Sequence, residues 1–285
     1  MPELPASVRL ALWVTHAWTD GAGRGSLLEQ TLARALPDAE YVAGDVQRLH
    51  LWHELGESAL LVALPAPGDL SGMPSAGPDA VGAAAAAGEC VYVPGLGGML
   101  VPTVTTFGAE SAGAESAGAE AAGAESAEAP SGPVPRGRSL DVGTRVDWTA
   151  YDSDPVPRHR VEALDAGQLE RSLRELVAEV TAGLERMDGR PFAHRMGREL
   201  ADAAAGGRWA LPPGLPPRAD RVIRLAGTVS AVAGVALETP DDSLSVTTST
   251  QRRQVLQRLR RGSERALADA ASAACAAIAG WVPAR

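Results

Sequence analysis

The sequence predicts an α/β protein, or an α+β protein, with a small and mostly parallel sheet in its N-terminal part and an all-α C-terminal subdomain. Three observations lead to this fold class. Short apolar segments alternate with capped helical segments up to residue 107, an acidic low-complexity segment follows, and helical patterns dominate the remainder. The predicted divisions are residues 1–107, a linker at residues 108–138, and residues 139–285, which hold one strand and about four helices.

The composition of the 285 residues fits a soluble globular chain with a substantial core, because 45% of them are hydrophobic. The formal net charge of -9 disfavours nucleic acid as the main partner, since phosphate binding requires a dominant basic surface. The two cysteines are far apart in apolar surroundings, and the N-terminus lacks the pattern of a secretory signal. These features predict a cytoplasmic protein with two buried thiols and no membrane span.

All 26 cationic side chains are arginines, and the chain contains no lysine. Schiff-base chemistry and the phosphate-binding lysine of P-loop proteins are therefore excluded. No particular cofactor follows from the sequence.

The N-terminal part has the pattern of a β-α-β-α-β run. Residues 7–15 alternate apolar and other side chains, which predicts a strand, and a capping box at Ser26 opens a helix. Further strands are predicted at residues 39–43 and 59–64, with a helix at residues 45–55 between them. Because continuous apolar strands suit a sheet that is covered on both faces, the strands are predicted to be parallel.

A further helix is predicted at residues 79–87, followed by a strand at residues 90–93. Residues 99–105 are predicted to return as an edge strand, because Pro102 lacks the N–H group that a central strand needs. Residues 90–109 are long enough to span a membrane, but their prolines and glycines would leave backbone polar groups unpaired in lipid. A hairpin is predicted there instead.

Four near-identical copies of Gly-Ala-Glu-Ser-Ala fill residues 108–127, and three prolines follow. A segment of this composition cannot bury enough apolar surface to offset the entropy lost on ordering, so a disordered acidic linker is predicted. Residues 109–113, which extend from the first copy into the second, imitate the Gly-x-Ser-x-Gly elbow of serine hydrolases. The strand-turn-helix context of that motif is missing, so no nucleophile is inferred from it.

After the linker, alternation at residues 146–150 predicts one strand that rejoins the sheet. The rest is predicted to be helical, because apolar residues recur at helical spacing behind capping signals such as Asp165 with Gln168. The predicted helices cover residues 165–187, 194–205, 217–237 and 251–281. The helix at residues 217–237 is apolar nearly all round and is predicted to be the central buried one.

A glycine-rich sequence at residues 21–26 precedes the first capped helix, where amide groups and the helix dipole favour an anion. Asp45 follows the second predicted strand, where dinucleotide folds place a ribose-binding acid, although the glycines are not spaced as in that motif. The carboxyl ends of parallel strands would gather such residues at one rim of the sheet. The predicted ligand-binding residues are Arg24, Asp45 and Asp69, and the catalytic candidates are His16 and Asp20.

His50, His53 and Glu54 lie at i, i+3 and i+4 of one short predicted helix, so they could share a face and bind a metal ion. Their order differs from the H-E-x-x-H motif of zinc proteases, and no further ligand is identifiable. A surface histidine pair beside Trp52 is the alternative interpretation.

Six arginines crowd the start of the last predicted helix, with one opposing carboxylate, Glu264. They are Arg252, Arg253, Arg258, Arg260, Arg261 and Arg265. This cluster could bind an acidic partner, or it could pair with the acidic surface of the same chain.

Three functions are consistent with these patterns. The first is a small-ligand-binding or regulatory module with its site at the sheet rim near Arg24 and Asp45. The second is a hydrolase or transferase that acts on a phosphorylated or acidic small molecule, with His16 as acid/base and Arg24 as anion clamp. The third is a protein-interaction adaptor that works through the arginine-rich helix.

Overall fold

The computed structural model of the protein describes residues 3–20, 26–107, 143–186, 209–238 and 246–283. Within these ranges the chain forms a mixed α/β fold with a mostly helical C-terminal region. The predicted linker at residues 108–138, the helix predicted at residues 194–205, and Arg24 lie outside the described residues.

The chain opens with helix α1, Ala6–Thr19, so the strand predicted at residues 7–15 is wrong. Every residue from 6 to 12 is buried, and the helix therefore has no polar face to mark its period. Alternate valines and leucines then fit a strand as well as a helix. Helix α2, Ser26–Ala35, packs against α1.

The sheet has five strands in the order β1-β5-β4-β3-β2. The strands are β1 Tyr41–Gly44, β2 Leu61–Ala63, β3 Cys90–Tyr92, β4 Met99–Phe107 and β5 Gly143–Tyr151. Among the described strands, β1 and β5 form the single parallel pair, and the three other pairs are antiparallel. The prediction of a mostly parallel sheet is therefore wrong. A short hairpin turn joins β3 to β4, and strands joined in this way run in opposite directions.

Helix α3, Arg48–Glu54, follows β1 after a 3-10 turn at Asp45–Gln47, and helix α4, Pro78–Ala87, precedes β3. Both helices lie close to their predicted positions. Gly88 ends α4 in the left-handed conformation, with φ 74°, which a glycine adopts without steric cost.

Strand β4 is the central strand and not the predicted edge strand. However, β3 pairs only with Met99 and Leu100 of β4 in the described register. At Pro102, β4 therefore has one described strand neighbour, Trp148 of β5. Because β3 no longer pairs with β4 at Pro102, the missing N–H of this proline breaks no hydrogen bond between β3 and β4. Proline is tolerated at the edge of a sheet, and Pro102 lies at such an edge locally.

The C-terminal region contains four described helices, which are α5 Arg158–Glu162, α6 Ala166–Glu185, α7 Pro217–Glu238 and α8 Val246–Ile278. The predicted cap of α6 is confirmed, because the Asp165 side chain accepts a hydrogen bond from the Gln168 N–H at 2.6 Å. Helix α8 packs along α1, α6 and α7. The central buried helix is α1 and not α7, whose buried residues lie on one face.

Helices α1 and α8 also cover the outer edge of β2. The Leu60 N–H donates to Thr15 Oγ1 of α1 at 3.0 Å, and the Val62 N–H donates to Ser272 Oγ of α8 at 3.1 Å. The two hydroxyl groups satisfy backbone donors that an uncovered edge strand would leave unpaired. None of the described helices combines the length and the hydropathy that a membrane span requires.

Candidate functional site

The strand ends do not form the common rim that a parallel sheet would provide. Asp45 follows β1 at the end of the sheet where β3 turns into β4, whereas Asp69 follows β2 at the opposite end. This separation arises because β1 runs parallel to β5 but β2 runs antiparallel to β3. The sheet therefore does not bring Asp45 and Asp69 together, and their ligand-binding roles, like that of Arg24, stay predictions.

His16 and Asp20 lie at the C-terminal end of α1. Their Nε2 and Oδ2 atoms are 3.2 Å apart, which gives an ion pair when the imidazole is protonated. The His16 ring also meets the Trp13 ring edge to face, with centroids 6.1 Å apart. The two candidates are thus neighbours on one helix turn, and their catalytic roles stay predictions.

Asp45 connects two strands of the sheet. Its Oδ2 atom accepts a hydrogen bond from the Ala150 N–H at 2.8 Å. This bond fastens the end of β1 to the last residues of β5, so the observed contact of Asp45 is structural.

The histidines of α3 have separate partners. His50 Nε2 lies 3.3 Å from Glu54 Oε1, while His53 Nδ1 lies 3.1 Å from the carbonyl oxygen of Glu57. The His53 ring stacks on Trp18 with centroids 5.3 Å apart. In the described part of the chain, no three His, Cys, Asp or Glu side chains are placed to hold a metal ion together.

Asp69 makes an ion pair with α8. Its Oδ2 atom is 2.5 Å from Nη2 of Arg265, and its Oδ1 atom accepts a hydrogen bond from Ser71 Oγ at 2.6 Å. The hydrogen bonds from Ser71, together with the positive charge of Arg265, lower the pKa of Asp69 below its usual value. Asp69 therefore holds the loop after β2 against α8.

Several arginines of α8 pair with carboxylates of the same chain. Arg258 Nη1 is 2.7 Å from Glu179 of α6, and Arg260 Nε is 2.8 Å from Glu264. Together with the Arg265 pair, these contacts join three arginines of the cluster to carboxylates that the structure describes. The contacts agree with the interpretation that the cluster pairs with its own acidic surface.

A groove of about 690 Å³ runs between the α7–α8 helix pair and the sheet end that carries Asp69. We call it the α7 groove. One wall is α7, through Gly227, Ser230, Ala231 and Gly234; a second is α8, through Gln257, Arg260, Arg261 and Glu264. The third wall consists of residues 3–5, 64–67 and 87–89, which lie before α1, after β2 and before β3.

Small residues give the groove its depth. A side chain at Gly227 would meet Leu4 Cδ2 at 2.7 Å, so this glycine allows α7 to lie close to the N-terminal segment. Gly234, nearly two turns further along α7, has nothing within 4 Å of the position of a Cβ atom. The groove thus closes near Gly227 and opens near Gly234.

A cluster of charged residues lies under the third wall. Arg9 is 6% exposed and binds both carboxylate oxygens of Asp38, with Glu3 at 3.7 Å. Glu89 accepts a hydrogen bond from the Ser7 N–H at 2.7 Å, at the N-terminus of α1, where the helix dipole favours a carboxylate. Burial nevertheless raises the pKa of Glu89.

Arg261 differs from the paired arginines of α8. It is exposed, it lines the α7 groove, and it makes no ion pair or hydrogen bond with any residue that the structure describes. It also borders a smaller cleft next to the groove, together with Asp69, Arg265 and Asp269. Asp69 is therefore linked to the α7 groove through a cleft that both Asp69 and Arg261 line.

The sequence gives little indication of this groove. Its walls come from five separate segments and consist largely of alanine, glycine, proline and leucine, which have no chemical signature of a site. The one available signal is the spacing of Gly227, Ala231 and Gly234 at i, i+4 and i+7, which places small residues on one face of a long helix.

Two family descriptions match the chain. Residues 7–163 match "Rv1486c-like protein, N-terminal domain", and residues 167–268 match "Rv1486c-like protein, C-terminal domain". No curated protein and no solved structure matches the chain. The α7 groove draws on both matched regions, because its third wall belongs mainly to the first and its helical walls belong to the second. The chain belongs to the Rv1486c-like protein family.

Proposed function

We propose that this protein is a small-ligand-binding module and that its ligand lies in the α7 groove. The observation that carries this proposal is the groove itself. Ligand sites in proteins are typically concave, about 300–1,000 Å³ in volume and largely apolar, with a few polar groups. The α7 groove has a volume of about 690 Å³, and apolar or small residues make up most of its lining, beside four glutamates and two arginines.

The position of the groove supports the proposal. Residues 64–67 and 87–89 are fixed by the pairing of β2 with β3, and α8 is fixed by its packing on α1 and α6. A ligand between these elements would contact the sheet and the helical region at once. It could therefore stabilise their arrangement, which is also how a regulatory module would respond to it.

The alternatives have less structural support. An adaptor that binds through the arginines of α8 needs free positive charge, and Arg258, Arg260 and Arg265 are already paired with carboxylates of the chain. A hydrolase or transferase that uses His16 and Arg24 stays a prediction. The proposal includes the predicted cytoplasmic location, because Cys90 and Cys275 are buried free thiols and thiols stay reduced there.

The proposal can be tested with a thermal-shift screen of the full chain. The panel contains nucleotides, sugar phosphates, divalent metal ions, and amphiphiles with anionic, cationic and neutral head groups. A ligand that binds the folded state alone stabilises it by about 2.7 kcal/mol at a concentration of about 100 times its Kd. We expect at least one organic compound to raise the Tm.

A matched pair of variants locates the site. Gly234→Trp fills the groove, whereas Gly183→Trp adds the same side chain to α6, where the glycine also has nothing within 4 Å. The Gly234→Trp variant should lose the ligand-induced rise in Tm and the Gly183→Trp variant should keep it. A screen without hits, or a hit that the Gly234→Trp variant binds as well as the wild type, would refute the proposal.

A further inference from the structure

We infer that the ligand of the α7 groove is a single-chain amphiphile with one carboxylate, and that Arg261 binds this carboxylate. The inference rests on the proposed function and specifies its ligand. It follows from the charges, the hydrogen-bond donors and the apolar surface of the groove.

Most charged groups in the groove have partners within the protein. Glu264 pairs with Arg260 at 2.8 Å, and Glu3 lies 3.7 Å from Arg9. Glu89 accepts the hydrogen bond from the Ser7 N–H. Arg261 is the guanidinium of the groove that lacks a carboxylate partner among the described residues. A ligand carboxylate would supply this partner, and a guanidinium can bind both of its oxygens at once.

The carboxylate of Glu238, at the end of α7, also lacks a partner among the described residues. It lies about 16 Å along α7 from Gly227 at a rise of about 1.5 Å per residue. Glu238 therefore lies at the open end of the groove. Arg261 lies on α8 beside the loop after β2, and it also borders the cleft that Asp69 lines. The head group is thus expected at the Arg261 end.

The polar side chains near Arg261 can donate hydrogen bonds. Gln257 is one helix turn before Arg261 on the same face of α8, and Ser230 lies on the α7 wall. Neither side chain has a hydrogen-bond partner among the residues that the structure describes. With the guanidinium, they form a donor set that suits the oxygen atoms of an acid.

The neighbouring charges favour a head group with one negative charge over one with two. Glu264 lies three residues after Arg261, and the adjacent cleft contains Asp69 and Asp269. A phosphate monoester would bring nearly two negative charges to one free guanidinium and these carboxylates. A monocarboxylate matches the single free positive charge.

The remaining surface of the groove suits an alkyl chain. Leu4, Leu64, Val235 and Leu267 line it together with the small residues of α7. Contact with them removes apolar surface of the ligand from water, which stabilises the complex in proportion to the area buried. An acid with a longer chain should therefore bind more tightly than a shorter one.

The experiment compares three probes that share one alkyl chain, which are dodecanoate, dodecylamine and dodecyl maltoside, each below its micelle-forming concentration. Binding to the full chain is measured by titration calorimetry. Dodecanoate should bind most tightly, and octanoate should bind less tightly than dodecanoate. Tighter binding of dodecylamine or of dodecyl maltoside would overturn the assignment of an anionic head group.

Two arginine variants test the role of Arg261. Arg261→Ala should weaken dodecanoate binding about tenfold, the size expected for one charge-assisted hydrogen-bonded pair. Arg261→Lys should recover part of this loss. Arg253→Ala is the matched control, because Arg253 is an exposed arginine two turns earlier on α8 and lies outside the groove. Its affinity should equal that of the wild type.

If the Arg261→Ala and Arg253→Ala variants lose affinity for dodecanoate equally, binding depends only on the overall positive charge of α8. This result would overturn the inference. Absence of dodecanoate binding would also overturn it. The proposed function would then still stand if another compound of the screen bound the wild type and lost binding in the Gly234→Trp variant. The two proposals can thus fail separately.

Discussion

Gly44 lies directly against the backbone of Trp148, where the parallel pair of β1 and β5 ends. Its φ is 86°, and a Cβ atom at this position would overlap the carbonyl oxygen of Trp148. The close approach brings the next residue, Asp45, within reach of the Ala150 N–H. One glycine therefore sets the contact that joins β1 to the rest of the sheet.

We expect Gly44→Ala to destabilise the protein by about 3 kcal/mol or more, because it adds a backbone clash at a combination of φ 86° and ψ -148° that residues other than glycine rarely adopt. Gly56→Ala is the control, since Gly56 has φ 104° but nothing within 4 Å of its Cβ position. Gly56→Ala should destabilise the protein only by the energy needed to hold an alanine at positive φ, about 1–2 kcal/mol. Urea unfolding gives both values, and equal losses would contradict the close contact between Gly44 and Trp148.

The buried Arg9 guanidinium requires a negative partner. Removal of one partner of a buried ion pair costs about 3–5 kcal/mol, because the other charge remains buried and uncompensated. Asp38→Asn should reach only the lower end of this range, about 3 kcal/mol, because Asp38 binds Arg9 through both oxygens but its own side chain is 30% exposed. Glu3→Gln should cost less than about 1 kcal/mol, because Glu3 is 3.7 Å from Arg9 and its side chain is 49% exposed. Similar losses in the two variants would show that Arg9 does not depend on Asp38.

The same cluster should contribute to acid sensitivity. Burial alone would raise the pKa of Asp38, but its hydrogen bonds with Arg9 and Glu3 and the charge of Arg9 lower it from 3.8 to about 2. A carboxylate with a lowered pKa in the folded state stabilises the protein above its unfolded pKa, and this contribution is lost as the pH falls towards 2. Glu3 opposes part of this effect, because burial and the Asp38 carboxylate raise its pKa.

The pH dependence of the free energy of unfolding between pH 5 and pH 2 tests this linkage, measured for the wild type and the Asp38→Asn variant. We expect the wild type to lose more stability than the variant over this range. Identical slopes would mean that Asp38 keeps an ordinary pKa in the folded protein.

The sequence indicates most helices and strands after residue 26, but not how the strands pair. Capping at Asp165 depends on residues close in the sequence, and this local signal predicts the start of α6 correctly. The position of β5 between β1 and β4 depends on contacts between residues about 100 positions apart, such as Val42 with Val146. No local pattern encodes such pairing, and the composition of the strands alone indicates a parallel sheet that the chain does not form.

The error at α1 has a different cause. A helix with polar residues on one side shows a period of 3.6, but α1 is buried on nearly all sides and lacks this contrast. The predicted site depends on the predicted sheet, because parallel strands are needed to bring its residues to one rim. The error in strand direction therefore also affects the site. The α7 groove depends on the packing of five separated segments, and this arrangement is visible only in the folded structure.

The ion pair between Asp69 and Arg265 should contribute little to stability, although it joins residues 196 positions apart. The Arg265 side chain is 53% exposed, and water screens such pairs. A double-mutant cycle with Asp69→Ala and Arg265→Ala should give a coupling energy of about 0.2–1 kcal/mol that decreases with added salt. A coupling above about 2 kcal/mol, or one insensitive to salt, would show that the pair is more buried than its geometry indicates.

Gly234 offers a test that connects stability with the α7 groove. A glycine inside a helix costs about 0.5–1 kcal/mol relative to alanine, and nothing lies within 4 Å of a Cβ at Gly234 or at Gly183. Both Gly234→Ala and Gly183→Ala should therefore raise the Tm. Gly262→Ala should lower it or leave it unchanged, because its Cβ would overlap Leu176 of α6.

Ligand binding should separate the two stabilising variants. The methyl group of Gly234→Ala protrudes into the α7 groove, so this variant should bind the groove ligand more weakly, whereas Gly183→Ala should bind it as the wild type does. Titration of both variants with the compound found in the screen measures this difference. A glycine that lowers stability and improves binding would be expected at a functional site, because function and stability often conflict there. Equal affinity in the two variants would mean that the ligand does not contact α7 at Gly234.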